Sequence, residues 1–173
     1  MTHHRLLFVG VVGSAAALVA ATVLPAAAQA VTWGGPSTGG TPNVNYAYPD
    51  VTILFRQAGS RVNLRNFQVL LACTDRNDGV ERIAAFDAGA RTGYAGQLRN
   101  NRVRMHFASS SGGLRGVTNL TARMRPNGTG RARVEVEAVG RDSDTGAIME
   151  DCSAEVSFRL QRFRAGRAPA GSP

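Results

Sequence analysis

The chain has 173 residues, and its 20 basic residues outnumber its 12 acidic ones, for a net charge of +8. That length supports one hydrophobic core and excludes two. Every basic residue apart from His is Arg, and with abundant Ala and Gly this is the composition of a GC-rich bacterial genome. A positive surface favours anionic partners (acidic polysaccharide, lipid head groups or nucleic acid), but the charges form no basic run, so Arg as the default solvent-facing residue is the preferred explanation.

The first thirty residues have the three parts of a secretory signal. Met1 to Arg5 is a short basic start, Leu6 to Leu24 is an uncharged apolar stretch, and Pro25 to Ala30 ends in small residues. Ala28-Gln29-Ala30 fits the peptidase pattern, so 1-30 is expected to be cleaved after Ala30, or secondarily after Ala28. A membrane anchor is the competing explanation, but Gly10, Gly13 and Ser14 dilute the stretch and no basic stop-transfer cluster follows. The expected address is therefore secreted or periplasmic, with no transmembrane segment in the mature chain.

Residues 31-50 are rich in Gly, Pro, Thr and Asn and read as a flexible leader. From 51 to 164 the period is two. Val51 to Arg56, Phe67 to Cys73 and Val80 to Phe86 are expected strands, the second continuously apolar and so central. Arg102 to Phe107 alternates strictly, as do Leu120, Ala122 and Met124, then Ala132 to Ala138, then Cys152 to Leu160. Pro126 to Gly130 is a hairpin turn, and Asp142 to Gly146 joins the last two strands. Residues 165-173 read as a frayed tail.

About seven short strands predict an all-β, antiparallel β-sandwich, with a small β-barrel as the alternative. Cys73 is in phase with Phe67, Val69 and Leu71, and Cys152 with Val156, Phe158 and Leu160, so both thiols face the core. In an oxidising compartment the pair forms a disulfide, expected here as a bridge between two sheets. The arrangement resembles the immunoglobulin-like architecture, without its tryptophan between the cysteines or its tyrosine before the second. That resemblance is architectural and carries no function.

Two constellations are candidates for function. Asp75, Asp78, Asp142, Asp144, Glu150 and Asp151 flank the cysteines, and oxygen ligands gathered at one end of the fold suit Ca²⁺. Asp, Asn and Gly are also the ordinary residues of turns, and that explanation is preferred. Arg123, Arg125, Arg131 and Arg133 flank the Pro126 to Gly130 turn as an anion-binding patch. The preferred alternative is a solvated strand face on which Glu135 and Glu137 are cross-strand partners.

No catalytic residue is assigned. After signal removal His106 is the only histidine. Ser109 to Ser111 and Asp87 lie within reach in sequence, yet nothing resembles a nucleophile elbow. The sequons at Asn119 and Asn127 read as accidental. The expectation is an exported, non-enzymatic binding or structural module of the cell envelope or extracellular space. Its partner would be an anionic envelope component or another exported protein, and not a specific nucleic acid. A hydrolase using the acidic loops at 75-78 and 142-151, or an adhesive surface subunit, are the alternatives.

Overall fold

The computed structural model describes residues 30–47, 51–88 and 93–163. The expected signal and tail lie outside them. Among the described residues nine strands run in order: β1 (Val31–Thr41), β2 (Thr52–Ala58), β3 (Arg61–Asp75), β4 (Glu81–Ala88), β5 (Ala95–Gln97), β6 (Arg102–Ser111), β7 (Leu114–Met124), β8 (Thr129–Arg141) and β9 (Ile148–Phe163). One short helical turn, α1 (Val44–Ala47), lies between β1 and β2. Among the described residues no helix is long and apolar enough to cross a membrane.

All pairings are antiparallel, as the alternation predicts, and the strands form one sheet ordered β4-β3-β2-β1-β9-β8-β7-β6, with β5 off this path against β3. The sheet rolls around a single core. Its last strand, β6, lies against the β4–β5 region mostly through side chains: Tyr94 stacks on Phe107 at 3.7 Å and Ser111 reaches Asp87 at 3.3 Å. Inside are Phe55, Phe67, Phe86 and Phe158, with Ile53, Leu64, Leu71, Leu120 and Leu160. Alternation puts these on one face because successive strand side chains point to opposite sides.

Of the segment expected to be a flexible leader, Val31–Thr41 is a strand and Val44–Ala47 a helical turn. β1 pairs with β2 over Val31 to Pro36 and with β9 over Thr32 to Thr41. Gly35 and Gly40 are there for proximity: a Cβ at Gly35 would sit 1.9 Å from the Arg159 carbonyl oxygen, and one at Gly40 2.1 Å from that of Glu155. Glycine in a strand marks such close backbone approach as readily as it marks flexibility.

β1 and β2 form a wedge between β3 and β9. β3 pairs with β2 through its first half and with β9 at its end, from Ala72 to Asp75. Where the wedge closes, Asn45 takes the place of a strand. Its side chain accepts from Leu70 N–H at 2.7 Å and donates to Leu70 C=O at 2.9 Å. Asn45 is fully buried, and this pairing satisfies backbone groups that would otherwise be orphaned.

The Cys73–Cys152 disulfide forms, with both residues buried as their phase requires. Its placement differs from the intersheet bridge expected. The two residues are directly opposed on neighbouring strands β3 and β9, with Cα atoms 4.0 Å apart. The bond joins the two arms of the sheet where the wedge ends. Sequence phase gave the direction of each thiol but carried no information on which strands are neighbours.

Candidate functional site

The outer face of β6, β7, β8 and β9 is a set of cross-strand rows fixed by the register. Arg102 is opposite Arg123, Arg123 opposite Arg131, and Arg131 opposite Arg159. Four arginines thus form one row across four adjacent strands. The next row reads Arg104, Thr121, Arg133, Ser157, and the third reads His106, Asn119, Glu135, Glu155. Beyond it the face turns small and nearly neutral, with Ala108, Val117, Glu137 and Ser153.

Arg102, Arg104, Arg123, Arg131, Arg133 and Arg159 are exposed and line a shallow groove of about 580 Å³. Hydroxyls of Thr38, Thr121 and Ser157 border it. Thr38 reaches this face through a bulge in β1, and its hydroxyl donates to the Ser157 carbonyl at 3.3 Å. Arg133 is neutralised by Glu135 at 3.0 Å and Glu155 at 2.6 Å. The four arginines of the first row, and Arg104, have no carboxylate at ion-pair distance among the described residues. Like charges directly opposite on paired strands oppose folding. Three such contacts in one row make this the least self-satisfied part of the surface.

The expected patch is therefore partly as placed. Arg123, Arg131 and Arg133 share the groove, with Arg133 already engaged. Arg125 lies at the turn instead, where it borders a separate hollow with Trp33 and Arg162. Arg102, Arg104 and Arg159 join the groove from β6 and β9, outside the patch expected around the Pro126 to Gly130 turn. The signal was present: Arg102 and Arg123 are equidistant from the Gly112-Gly113 turn, as Arg123 and Arg131 are from Asn127.

The six carboxylates gather at the opposite end of β8 and β9. Glu150 and Asp151 lie within β9 and Asp75 ends β3, so three of the six are strand residues and not loop residues. Asp75 is opposite Glu150. Each acid has a protein partner. Asp151 receives a fork from Arg76 at 2.6 and 2.8 Å. Glu150 receives one from Arg82, whose Nε stands 2.7 Å from Oε2. Asp75 and Asp78 accept the N–H groups of Asn77 and Val80. Asp142 accepts from Asp144 N–H and from both the N–H and hydroxyl of Thr145, and Asp144 accepts from Ser143.

These bonds show in the acidities. The Arg76 hydrogen bonds, and then its charge, hold the Asp151 carboxyl below the usual carboxylate range. The Thr145 N–H, then its hydroxyl, then the Asp144 N–H do the same for Asp142. Among the described residues, the one group of metal-type ligand atoms within 4.8 Å of one another is Cys73, Glu150 and Cys152. Its sulfurs are bonded to each other, which removes the thiolates a metal would need. The two arginine forks occupy both oxygens of Asp151 and Glu150, while the turn bonds use one oxygen each of Asp75, Asp78, Asp142 and Asp144.

His106 Nδ1 is 2.7 Å from the Asn119 side-chain oxygen in the exposed third row. Asp87 and Ser111 meet each other rather than His106. Asn127 accepts from the N–H and hydroxyl of Thr129, so that sequon is built into the turn. No protein-family model matches this chain, and no curated protein matches it in sequence.

Proposed function

We propose that this chain is an exported binding module of the bacterial envelope or extracellular space that takes up an anionic partner on the β6–β9 outer face. The observation that carries the reading is the row of four directly opposed arginines, none with a carboxylate partner among the described residues. A row of that kind opposes folding unless it serves a ligand, and arginine forks are suited to carboxylate, sulfate and phosphate. Export is supported by the pattern of residues 1-30 and by a disulfide, a bond that persists in oxidising compartments. A binding role is favoured over hydrolysis because the acids available for catalysis are engaged by arginines and turn N–H groups.

The test compares two variants of equal net charge on an immobilised polyanion. One replaces Arg102, Arg123, Arg131 and Arg159 with Ser; the other replaces the exposed Arg56, Arg61, Arg65 and Arg99 with Ser. The row variant should elute at clearly lower salt than the control. Equal elution would reduce the row to a contribution to net charge and end the reading.

A further inference from the structure

The groove has a direction as well as a charge. The arginine row runs perpendicular to the strands, so neighbouring charges are separated by the strand spacing of about 4.8 Å, and four strands span about 14 Å. Along the strands the basic zone is narrow. The second row is about 7 Å away, and the third, another ~7 Å on, carries Glu135 and Glu155. Those two carboxylates and Glu137 behind them bound the strip on one side with negative charge.

From this we infer that the groove binds a linear acidic polysaccharide laid across β6, β7, β8 and β9, one carboxylate to each arginine of the row. The inference rests on the anion-binding reading above and adds the ligand class and its orientation. A chain of uronic acid rings is one ring wide, which fits a strip bounded by acids. It carries one carboxylate per ring, and a ring is close in length to the spacing between strands. Thr121, Ser157 and Thr38 then stand beside the chain as hydroxyl partners for the sugar. A membrane surface or a nucleic acid duplex is broad and would press its phosphates onto Glu135 and Glu155 as well. Single-stranded nucleic acid draws much of its affinity from bases stacked on aromatic side chains. The rows of this face contain no Phe, Tyr or Trp.

Length dependence tests it. Oligogalacturonates of one to eight rings, oligothymidylates of matched charge and inorganic tripolyphosphate are titrated into the protein at fixed low salt. The affinity for oligogalacturonate should rise roughly 1.5- to five-fold with each ring, the worth of one exposed ion pair, and level off at about four. Arg102→Ser and Arg159→Ser remove the ends of the row. Each should move the plateau to about three rings and weaken four-ring binding more than one- or two-ring binding. Oligothymidylate at equal charge should bind several-fold more weakly. Affinity independent of ring number, or a match between oligothymidylate and oligogalacturonate, overturns the polysaccharide assignment while anion binding stands. Failure of every anion to bind, tripolyphosphate included, overturns both.

Discussion

The two ends of strands β8 and β9 solve the problem of charge in opposite ways. At the disulfide end each of the six acids flanking the cysteines has a partner: Arg76 forks onto Asp151, Arg82 onto Glu150, and Asp75, Asp78 and Asp142 accept backbone N–H groups while Asp144 accepts the Ser143 hydroxyl. Even the space is allotted, since a Cβ at Gly140 would stand 2.3 Å from Glu150 Oε1. At the far end, Arg102, Arg123, Arg131 and Arg159 face one another with no such compensation among the described residues. One end is arranged to hold the sheet closed. The other keeps charges free at a cost to stability, and such unsatisfied groups are where function is sought.

The largest effect should come from breaking the closed end. Replacing Cys73 and Cys152 with Ala releases a constraint across 79 residues of chain. The loss should approach about 4.5 kcal/mol on the chain-entropy account. Denaturant unfolding of the double variant against the parent measures it, and a loss below ~1 kcal/mol would mean that the β3–β9 pairing holds without the bond. Next is Asn45→Ala, which orphans the buried N–H and C=O of Leu70 at the tip of the wedge. Two unmet backbone groups should cost roughly 2–4 kcal/mol. Hydrogen exchange should then quicken at Leu70 before it does at the arginine row. Uniform quickening would show that the wedge and the row share one unit of stability.

The extent to which this was legible in the sequence follows the same division. Periodicity alone identified which side of β6, β7, β8 and β9 faces water, because alternation is a property of one strand at a time. The arginine row requires register, and register across consecutive hairpins can be counted outward from turns such as Gly112-Gly113 and Asn127. Arg159 was harder, since the β8–β9 register slips between Gly140 and Arg141. The pairing of β3 with β9, and the insertion of β1 beside β9, join segments more than a hundred positions apart in the second case. No local pattern encodes such neighbours. Gly34, Gly35 and Gly40 suggest a flexible leader where a strand forms, because composition does not separate flexibility from close approach.

Acid should distinguish the two ends without mutation. Asp151 is held below the usual carboxylate range by Arg76, so its share of stability is present above that range and is lost as pH falls through the lowered value. Asp142 behaves in the same way through its turn bonds. The melting temperature should therefore fall as pH drops below about 4, the ordinary carboxylate range. In Arg76→Gln the Asp151 carboxyl loses its guanidinium and its value rises toward the ordinary one, so the protein should be less stable at neutral pH and the acid fall shallower. Arg159→Gln, at the other end, should leave the acid limb where it was. An identical limb in all three proteins would detach Asp151 from the acid sensitivity.

The smallest effect is the most diagnostic, because its sign is unusual. Arg131 and Arg133 lie two residues apart on the same face of β8, alike in exposure and in chemistry. Arg133 is held by Glu135 and Glu155, whereas Arg131 is flanked by Arg123 and Arg159. Replacing Arg133 with Thr should destabilise the fold slightly. Replacing Arg131 with Thr removes two like-charge contacts and introduces a residue suited to strands, so it should stabilise by roughly 0.2–1 kcal/mol. Salt separates the causes: a gain from relieved repulsion shrinks as ionic strength rises, while a gain from strand propensity does not. If Arg131→Thr instead destabilises as much as Arg133→Thr, the arginine stem is packing against the sheet and the row is part of the structure. A stabilised Arg131→Thr with weakened retention on a polyanion would mean that the protein gives up stability there to keep a charge for its partner.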